Sequence, residues 1–448
     1  MDKNDIFNKI DDFSAEQLFD FINQGIVTLD ELRDTGELDA TKRKSITSLQ
    51  KNKEQEDDNA WNICCENYTE NSFSEYINSY PNGKHVLDAR NIKSKLEEER
   101  LKKEKEKEKI LNDIIKDPNS FSADTVRQFL SDGFLTNDLL FEKGISAEII
   151  DKLIKNDSAP DFELGKTPES IPDGFTEVYF WGIRGSGKTT ALSAVLSTAN
   201  KKGLLEIAQG PGYNYMLQLQ NLFSENISIL PTGTPTEKTQ YLPFTLKENH
   251  EKNSRSVSLI ELSGEIFQCF LYKNAGKKLP TIQHEETFNT LIIYLNGNNR
   301  KMHFFFVDYN KGNNKDQDGY TQSQYLNGAA TFFNNPDYNI FGKTTDAIYV
   351  VVTKSDLMPD ENKSKKEQVK EYLNDSNNYY LGFINSLRDK CIKHSINGQR
   401  IIGTPFSLGK VYFEQICEFN PKTAENIIDI LMRRITPSGK SILDVFNK

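Results

Sequence analysis

The sequence has few of the residues that build metal and disulfide sites, and their spacing is unsuited to either. Its 448 residues include five cysteines, with Cys64 and Cys65 adjacent and no CxxC pair. The five histidines, at positions 85, 250, 284, 303 and 394, follow no metal-ligand spacing. The usual zinc sites and a disulfide framework are therefore excluded, and we expect reduced cysteines that are mostly buried.

Long apolar runs and an excess of basic residues are also missing. No stretch approaches the roughly 20 apolar residues that cross a bilayer, and the first residues lack the apolar core of a secretory signal. Lys and Arg number 55 against 65 Asp and Glu, which gives a formal charge of −10. A chain without net positive charge is unsuited to nucleic acid as its main partner. We therefore expect a cytoplasmic protein with no membrane span and no nucleic-acid function.

The N-terminal part contains an internal repeat. Seven residues recur at one constant offset, as the pairs Phe13/Phe121, Ser14/Ser122, Ala15/Ala123, Gly25/Gly133, Thr28/Thr136, Leu32/Leu140 and Gly36/Gly144. Serine and threonine are favourable helix N-caps, and glycine at positive φ ends helices. Each copy is therefore predicted to hold two short helices, the first capped by the serine and the second by the threonine.

The segment between the two copies is also helical in pattern. An aromatic stretch that ends at Pro81-Asn82-Gly83 resembles a single tetratricopeptide-like hairpin, and a run of alternating Lys and Glu follows it. We predict a small helical module (1–50), the hairpin (56–95), a charged helix (96–116), a second helical module (117–156), a proline-punctuated linker (157–174) and a separate domain (175–448). The helical modules are expected to contact protein partners.

The pattern changes after residue 174 to alternating strands and helices. Short β-rich runs occur at Glu177–Trp181, Val257–Leu262, His303–Asp308, Ala347–Thr353 and Arg400–Phe406. Such alternation favours a three-layer α/β domain with a mainly parallel sheet, whose ligand loops follow the carboxyl ends of the strands. The predicted fold class is thus α/β, with a mainly parallel sheet, preceded by all-α modules.

A complete GxxxxGK[ST] motif lies at residues 182–189, between a predicted strand and a predicted helix. Its glycines allow backbone N–H groups to surround a β-phosphate, its lysine reaches the β and γ oxygens, and its threonine hydroxyl coordinates Mg²⁺. The phosphate-binding candidates are Gly182, Gly185, Ser186, Gly187, Lys188, Thr189 and Thr190. Thr189 is also a metal-ligand candidate.

Two later strand ends carry the candidates for base recognition. The run Tyr349–Val352 is followed by Thr353-Lys354-Ser355-Asp356, and a carboxylate there can accept hydrogen bonds from guanine N1 and N2, which adenine does not offer. The run Ile401–Phe406 is followed by Ser407-Leu408-Gly409, where a backbone amide can donate to guanine O6. We therefore predict guanine recognition by Thr353, Lys354, Asp356, Ser407 and Leu408.

In the order and spacing of these motifs, residues 175–415 resemble the TRAFAC-class, Ras-like P-loop GTPases. TKSD stands where that family has NKxD, and SLG stands where it has SAK. The chain is most similar to a bacterial multidomain branch akin to the double-GTPase families. The resemblance implies that the chain binds GTP and GDP with Mg²⁺ and hydrolyses GTP to GDP and phosphate.

The same resemblance supplies the remaining site residues. Val257–Gly264 stands where the family has DxxG, which makes Glu261 a candidate for the Mg²⁺ shell and Gly264 a candidate amide donor to the γ-phosphate. Glu265 stands where many members have the glutamine that positions water, so hydrolysis is expected to be slow. The switch I threonine that reaches Mg²⁺ is assigned to Thr234, one of three threonines between residues 230 and 236.

Arg184 occupies a position in the glycine loop where the resembling enzymes have little bulk. Its guanidinium either lies over the phosphates as an internal positive charge or turns outward to pair with acidic groups. Together with Lys188 and Glu265, it completes the set of catalytic candidates.

Two alternatives to a GTP-dependent switch stay open on the sequence. In the first, the chain is an ATP-dependent signalling or motor ATPase in which Asp308 is the metal-linked acid and TKSD is incidental. In the second, it is a nucleotide-binding scaffold without turnover, which the glutamates at positions 261 and 265 favour. Nucleotide preference and phosphate release distinguish the three interpretations.

Overall fold

The computed structural model describes residues 2–155, 168–209, 212–231, 240–247, 254–309, 313–315, 319–338 and 340–435. The chain separates into two compact units, Met1–Asn112 and Asp113–Lys448. Within the described residues, none of the helices has both the length and the apolar character that a bilayer-spanning segment needs. Thr234 and most of the predicted linker lie outside the described residues.

The first unit is helical. Its helices are α1 (Lys3–Asn8), α2 (Ala15–Asn23), α3 (Leu29–Asp34), α4 (Ala40–Asn67), α5 (Glu70–Ser79) and α6 (Val86–Lys116), which begins in this unit. A short 3₁₀ turn, Ile10–Asp12, follows α1. Apolar side chains of α1 to α4 and of the segments between them form a small buried core: Ile6, Ile10, Leu18, Val27, Leu32 and Ile46.

The repeat forms the predicted capped helices in both copies. In the second copy these are α7 (Ala123–Ser131) and α8 (Asn137–Glu142), followed by α9 (Ala147–Lys155). The side chains that cap the helices are those of Ser14, Thr28, Ser122 and Thr136. The glycines that follow each helix have positive φ: Gly25, Gly36, Gly133 and Gly144. Each copy therefore forms two short helices that begin at a serine or threonine cap and are followed by a glycine at positive φ.

The aromatic segment of the first unit is divided between two helices. α4 carries Trp61 and ends at Asn67, and the left-handed backbone of the next residue, Tyr68 (φ 45°), separates it from α5. Phe73 and Tyr76 of α5 make edge contacts with the Trp61 ring. The Tyr76 hydroxyl also donates to the buried carboxylate of Asp57. These contacts join α4 and α5 into one core with the start of α6.

The second unit contains α7 to α9 and a larger α/β part. Its strands are β1 (Thr176–Trp181), β2 (Leu205–Ile207), β3 (Ile227–Ile229), β4 (Gln240–Lys247), β5 (Ser254–Glu261), β6 (Lys301–Asp308), β7 (Thr345–Thr353), β8 (Ile402–Pro405), β9 (Gly409–Tyr412) and β10 (Ile416–Phe419). Its further helices are α10 (Lys188–Lys201), α11 (Tyr213–Asn221), α12 (Ile266–Asn274), α13 (Ile282–Asn296), α14 (Gln322–Phe333), α15 (Lys365–Tyr372), α16 (Leu381–Lys393) and α17 (Lys422–Arg434). The described residues of this unit also form two 3₁₀ turns, Ser355–Leu357 and Ile396–Gly398.

Seven of the strands form one sheet in the order β2-β4-β5-β1-β6-β7-β8. β5, β1, β6, β7 and β8 are parallel to their neighbours in this series, and β4 pairs antiparallel with both β5 and β2. The five strands predicted from the sequence are the five parallel ones. The predicted fold class, a mainly parallel α/β domain preceded by helical modules, is confirmed.

The sheet is covered on both faces because successive side chains of a strand point to opposite sides. Val178 and Phe180 of β1 belong to one apolar layer, against α10, α11 and α17. Tyr179 and Trp181 belong to the other, against α12 to α16. Because helices cover both faces of the sheet, a ligand is expected to bind at the loops that follow the carboxyl ends of the parallel strands.

A second sheet, in the order β3-β10-β9, joins the second copy of the repeat, with α7 to α9, to the α/β part of the same unit. The turn between β9 and β10 is held by the segment before α7. The amide of Phe413 donates to Pro118 O (2.9 Å), and the amide of Ala123 donates to Phe413 O (3.0 Å). Asn119 donates to Val411 O (3.0 Å) and accepts from the Glu414 amide (2.8 Å). The second copy of the repeat is thus built into the same unit as the large sheet.

Candidate functional site

The glycine loop of residues 182–187 connects β1 directly to α10. Gly185 and Gly187 have φ of 76° and 86°, in the left-handed region that favours glycine. Gly187 is the residue from which α10 starts, and a Cβ there would lie 3.3 Å from the side chain of Thr353. Ser186 Oγ is buried, and no hydrogen-bond partner for it is found among the described residues. The loop therefore offers a helix N-terminus and a buried hydroxyl to an anion.

Lys188 is folded back over this loop. Its ammonium donates to Gly182 O (2.5 Å) and to Ile183 O (2.9 Å). Burial lowers the pKa of Lys188 to about 8, although the nearby charge of Glu261 opposes the shift. Both partners are neutral carbonyl oxygens, so the lysine carries a positive charge that an incoming phosphate would neutralise.

Glu261, the last residue of β5, lies beside the first turn of α10. One carboxylate oxygen accepts a hydrogen bond from the Thr189 hydroxyl, and the other accepts one from the Tyr215 hydroxyl at 2.6 Å. Burial raises the pKa of Glu261, while the two hydroxyl donors and the charge of Lys188 act against that rise. The structure therefore brings Thr189 and Glu261, both predicted metal-linked residues, into direct contact.

These groups fit a magnesium ion. A hydroxyl and a carboxylate are hard oxygen donors, and Mg²⁺ is commonly bound by one or two such groups together with substrate phosphates and water. Among the described residues there is no cluster of three or more His, Cys, Asp or Glu that could hold a metal on its own. Thr189 and Glu261 are thus the protein groups that would hold the ion beside a bound phosphate.

Gly264 and Glu265 follow β5, and Gly264 lies against the backbone of the glycine loop. A Cβ at Gly264 would collide with the backbone of Ile183 and Arg184, so only glycine allows this close approach. Glu265 is the residue before α12, and its carboxylate lies 3.1 Å from Nε2 of His284 on α13. The Arg184 side chain is exposed. The candidate for positioning water is therefore already in contact with a histidine that the sequence did not connect with it.

The TKSD segment begins against the glycine loop. The Thr353 hydroxyl lies 3.1 Å from Ser186 O and 3.3 Å from Val307 O, so it links β7 to the loop and to β6. Lys354 has a left-handed backbone (φ 55°), and its ammonium forms an ion pair with Asp308 at 2.9 Å. Asp356 follows in the 3₁₀ turn, with its side chain exposed. Thr190, the remaining loop candidate, is half-buried in the first turn of α10.

The SLG segment lies next to TKSD. The amide of Ser355 donates to Phe406 O (3.1 Å), and the amide of Phe406 donates to Val352 O (2.9 Å). Ser407 is held on both sides, since its amide donates to the Thr423 hydroxyl (3.2 Å) and its own hydroxyl accepts from the Gly409 amide (3.2 Å). For the amide of Leu408, between them, no partner is found among the described residues. Leu408 is therefore the residue of this segment whose amide is left for a ligand.

Sequence reasoning did not find Tyr215 or His284, and it assigned Asp308 no partner. The ion pair with Lys354 had a detectable signal, because Asp308 and Thr353 end neighbouring parallel strands in register. Tyr215 had no such signal, since it lies in no motif and is 46 positions from Glu261. Thr234 lies outside the described residues.

No family model and no curated protein matches this sequence. Among solved structures, the chain is similar to a nucleolar GTP-binding protein 1 from Plasmodium falciparum. The two are 14% identical with a TM-score of 0.23, and the match covers 58% of this chain and 93% of that one. At this level of similarity the function of that protein does not transfer to this chain.

Proposed function

We propose that this protein is a GTP-binding switch that hydrolyses GTP slowly with Mg²⁺ and signals to protein partners through its N-terminal helical modules. The observation that carries the proposal is the contact of Thr353 with Ser186 O at 3.1 Å. It fixes the start of the TKSD segment against the phosphate-binding loop. A purine whose phosphates occupy that loop would therefore lie within reach of the next residues, Lys354 and Asp356.

The base-recognition groups support guanine over adenine. Asp356 presents an exposed carboxylate, which accepts hydrogen bonds but donates none when ionised. Guanine offers two donors, N1–H and the N2 amino group, on the edge where adenine has an acceptor and a carbon. The amide of Leu408 is the complementary donor for guanine O6. An acceptor and a donor placed in this way discriminate strongly between guanine and adenine, because adenine leaves both groups unpaired.

The phosphate and metal groups support a Mg²⁺-dependent NTPase. Gly182, Gly185, Gly187 and Lys188 would hold the phosphates, and Thr189 and Glu261 would hold the ion. When bound, Mg²⁺ neutralises charge on the phosphate oxygens. Arg184 is placed at the exposed side of the loop, where its guanidinium is free to add positive charge. Glu265 would orient water only after leaving His284, and this favours slow turnover.

The geometry disfavours the ATPase alternative in which Asp308 is the metal-linked acid. The Asp308 carboxylate is fully buried and paired with Lys354, and its backbone amide donates to Gln322 (3.0 Å). The Thr189 hydroxyl contacts Glu261 on the other flanking strand. In this proposal, Asp308 holds the stem of Lys354 in position to pack along the base.

Titration calorimetry of the full chain with GDP, a non-hydrolysable GTP analogue and ATP, with and without Mg²⁺, tests the proposal. We expect binding of the guanine nucleotides that strengthens with Mg²⁺, and weak binding of ATP. Equal or tighter binding of ATP would contradict guanine recognition.

The variant Asp356→Asn sharpens the test, because the amide loses acceptor capacity and gains a donor. It should weaken GDP binding by about 100-fold and improve binding of xanthosine diphosphate, which has a carbonyl where guanine has its amino group.

The contact of Glu265 with His284 also favours a second candidate function, a nucleotide-binding scaffold without turnover. Phosphate release by the purified protein separates it from the GTPase. Sustained release above the level of Lys188→Ala supports hydrolysis. Release equal to that of Lys188→Ala, with guanine nucleotides still bound by the unsubstituted protein, supports the scaffold.

A further inference from the structure

Tyr215 is a buried tyrosine that belongs to none of the nucleotide-binding motifs. It lies in the first turn of α11, with no exposed surface, and its hydroxyl donates to Glu261 Oε2 at 2.6 Å. The second oxygen of the same carboxylate accepts from the Thr189 hydroxyl. Glu261 is therefore held by one hydroxyl at each oxygen, one from the glycine-loop helix and one from a separate helix.

The helix that carries Tyr215 is fixed on the helix that carries Thr189. Ser197, in the middle of α10, donates to Leu219 O (3.2 Å) and accepts from the Phe223 amide (3.3 Å). Tyr215 also belongs to the apolar layer that joins α10 to the sheet. The two hydroxyls that hold Glu261 are thus carried by two helices that are bonded and packed together, which is the arrangement that keeps a ligand-binding group in place.

A glutamate at this position needs such support. Its side chain has one more rotatable bond than aspartate, and restricting a glutamate costs more conformational entropy. Without the hydrogen bond from Tyr215, the Glu261 carboxylate would sample positions beside the Thr189 hydroxyl and positions away from it. The hydrogen bond from Tyr215 selects one of them.

We propose that Tyr215 is a positioning residue for the metal site, which holds the carboxylate of Glu261 beside Thr189 so that the pair binds Mg²⁺ together with the nucleotide phosphates. This inference rests on the proposed Mg²⁺-dependent binding of guanine nucleotide. Groups that orient metal ligands by hydrogen bonds typically contribute about 10- to 100-fold to metal affinity.

The experiment compares Tyr215→Phe with the unsubstituted full chain. For each protein, the affinity for GDP is measured in EDTA and across a Mg²⁺ series, which gives the Mg²⁺ concentration at half-maximal effect. We expect that concentration to rise about 10- to 100-fold in Tyr215→Phe, with the affinity in EDTA unchanged. Tyr213→Phe is the matched control, because Tyr213 lies two positions away in the same helix with its side chain exposed. It should match the unsubstituted protein in both measurements.

Each other outcome overturns a specific claim. If the Mg²⁺ requirement of Tyr215→Phe is unchanged, Tyr215 does not position the metal-linked carboxylate. If the affinities with and without Mg²⁺ fall together, Tyr215 supports only the packing of the fold, and the inference is wrong. If the unsubstituted protein binds GDP equally well in EDTA and in Mg²⁺, the proposed metal dependence itself fails, independently of Tyr215.

Discussion

Each end of the large sheet buries a lysine, a glutamate and a tyrosine, but the lysine has different partners at the two ends. At the amino end, Lys301, Glu177 and Tyr179 form what we term the amino-end cluster. Lys301 and Glu177 are 0% and 1% exposed and lie 3.5 Å apart, and the Tyr179 hydroxyl donates to Glu177 at 2.6 Å. The Lys301 ammonium also donates to Gly297 O (2.6 Å) and Asn299 O (2.8 Å). Each charge therefore has a protein partner.

The carboxyl-end cluster, Lys188, Glu261 and Tyr215, contains the same three residue types. Here too the lysine donates to two carbonyl oxygens and the glutamate accepts from a tyrosine. The difference is that Lys188 contacts the glycine loop and feels Glu261 only as a nearby charge. The amino-end cluster is complete without a ligand, whereas in the carboxyl-end cluster no direct ion-pair partner for Lys188 is found among the described residues. The comparison predicts that substitutions at the first change stability and those at the second change binding.

The largest effect is expected from Lys301→Met. Removing the ammonium leaves the Glu177 carboxylate buried without its cation, and breaking a buried pair in this way costs about 3–5 kcal/mol of unfolding free energy. Nucleotide affinity of the folded protein should not change. Urea unfolding measures the effect. In a Trp61→Phe background, Trp181 is the remaining tryptophan and reports on the second unit alone.

The paired substitution of Glu177→Gln with Lys301→Met is the control for this prediction. It removes both charges and should recover part of the lost stability, since neither partner is left ionised. A loss below about 1 kcal/mol in Lys301→Met, or a weakened nucleotide affinity, would contradict the structural role of the amino-end cluster.

Lys188→Met is expected to show the opposite pattern. The affinity for GDP should fall by about 10- to 100-fold, because charge-assisted hydrogen bonds to the phosphates are worth about 1.5–3 kcal/mol. The unfolding free energy should fall less than in Lys301→Met, since Glu261 keeps its two hydroxyl donors and loses no direct ion pair. Calorimetry and urea unfolding on the same preparations test both parts. A larger loss of stability than in Lys301→Met would remove the distinction between the two clusters.

Acid stability should depend on the amino end through His303. Its Nδ1 accepts a hydrogen bond from Trp181 Nε1 at 2.9 Å, and burial with the nearby Lys301 lowers the pKa of His303 to about 3. As the pH falls below about 6.5, the unfolded chain takes up a proton that the folded chain does not. The unfolding free energy therefore falls as the pH is lowered below about 6.5, by up to about 1.4 kcal/mol per pH unit.

The measurement for His303 is the difference in unfolding free energy between the unsubstituted protein and His303→Asn, taken from pH 7 to pH 5. Asparagine retains an acceptor for Trp181 and does not titrate. The difference should grow in favour of the variant as the pH falls. A difference that is constant with pH would exclude His303 as the source of acid sensitivity.

The contrast between the two clusters also shows how far the sequence determines the structure. The alternation of strands and helices and the glycine loop depend on residues close in the chain, so the fold class and the place of the glycine loop between β1 and α10 were predictable. The same holds for the caps at Ser14 and Ser122, each three residues from the amide it accepts. Local signals of this kind need no knowledge of which elements meet.

The remaining contacts depend on which elements meet. Tyr215 reaches Glu261 only because α11 packs on α10, and Thr353 meets Ser186 across 167 positions of the chain. The amino-end cluster is equally invisible, since Glu177 and Lys301 face each other only through the pairing of β1 with β6. The short strands β2, β9 and β10 have three or four residues each, too few for a recognisable alternation.

The smallest effects are expected from two threonines at opposite ends of β7. Thr353 at the carboxyl end bonds to Ser186 O, whereas the buried hydroxyl of Thr345 at the amino end has no partner among the described residues. Thr353→Val should cost about 1 kcal/mol in unfolding free energy and weaken GDP binding a few-fold, because it frees the glycine loop from β7. Thr345→Val, the matched control, should leave binding unchanged and stability equal or slightly higher, since it removes a buried hydroxyl without breaking a bond. Identical behaviour of the two variants in GDP binding would mean that the strand end does not hold the loop, and guanine recognition by the following residues would lose its structural basis.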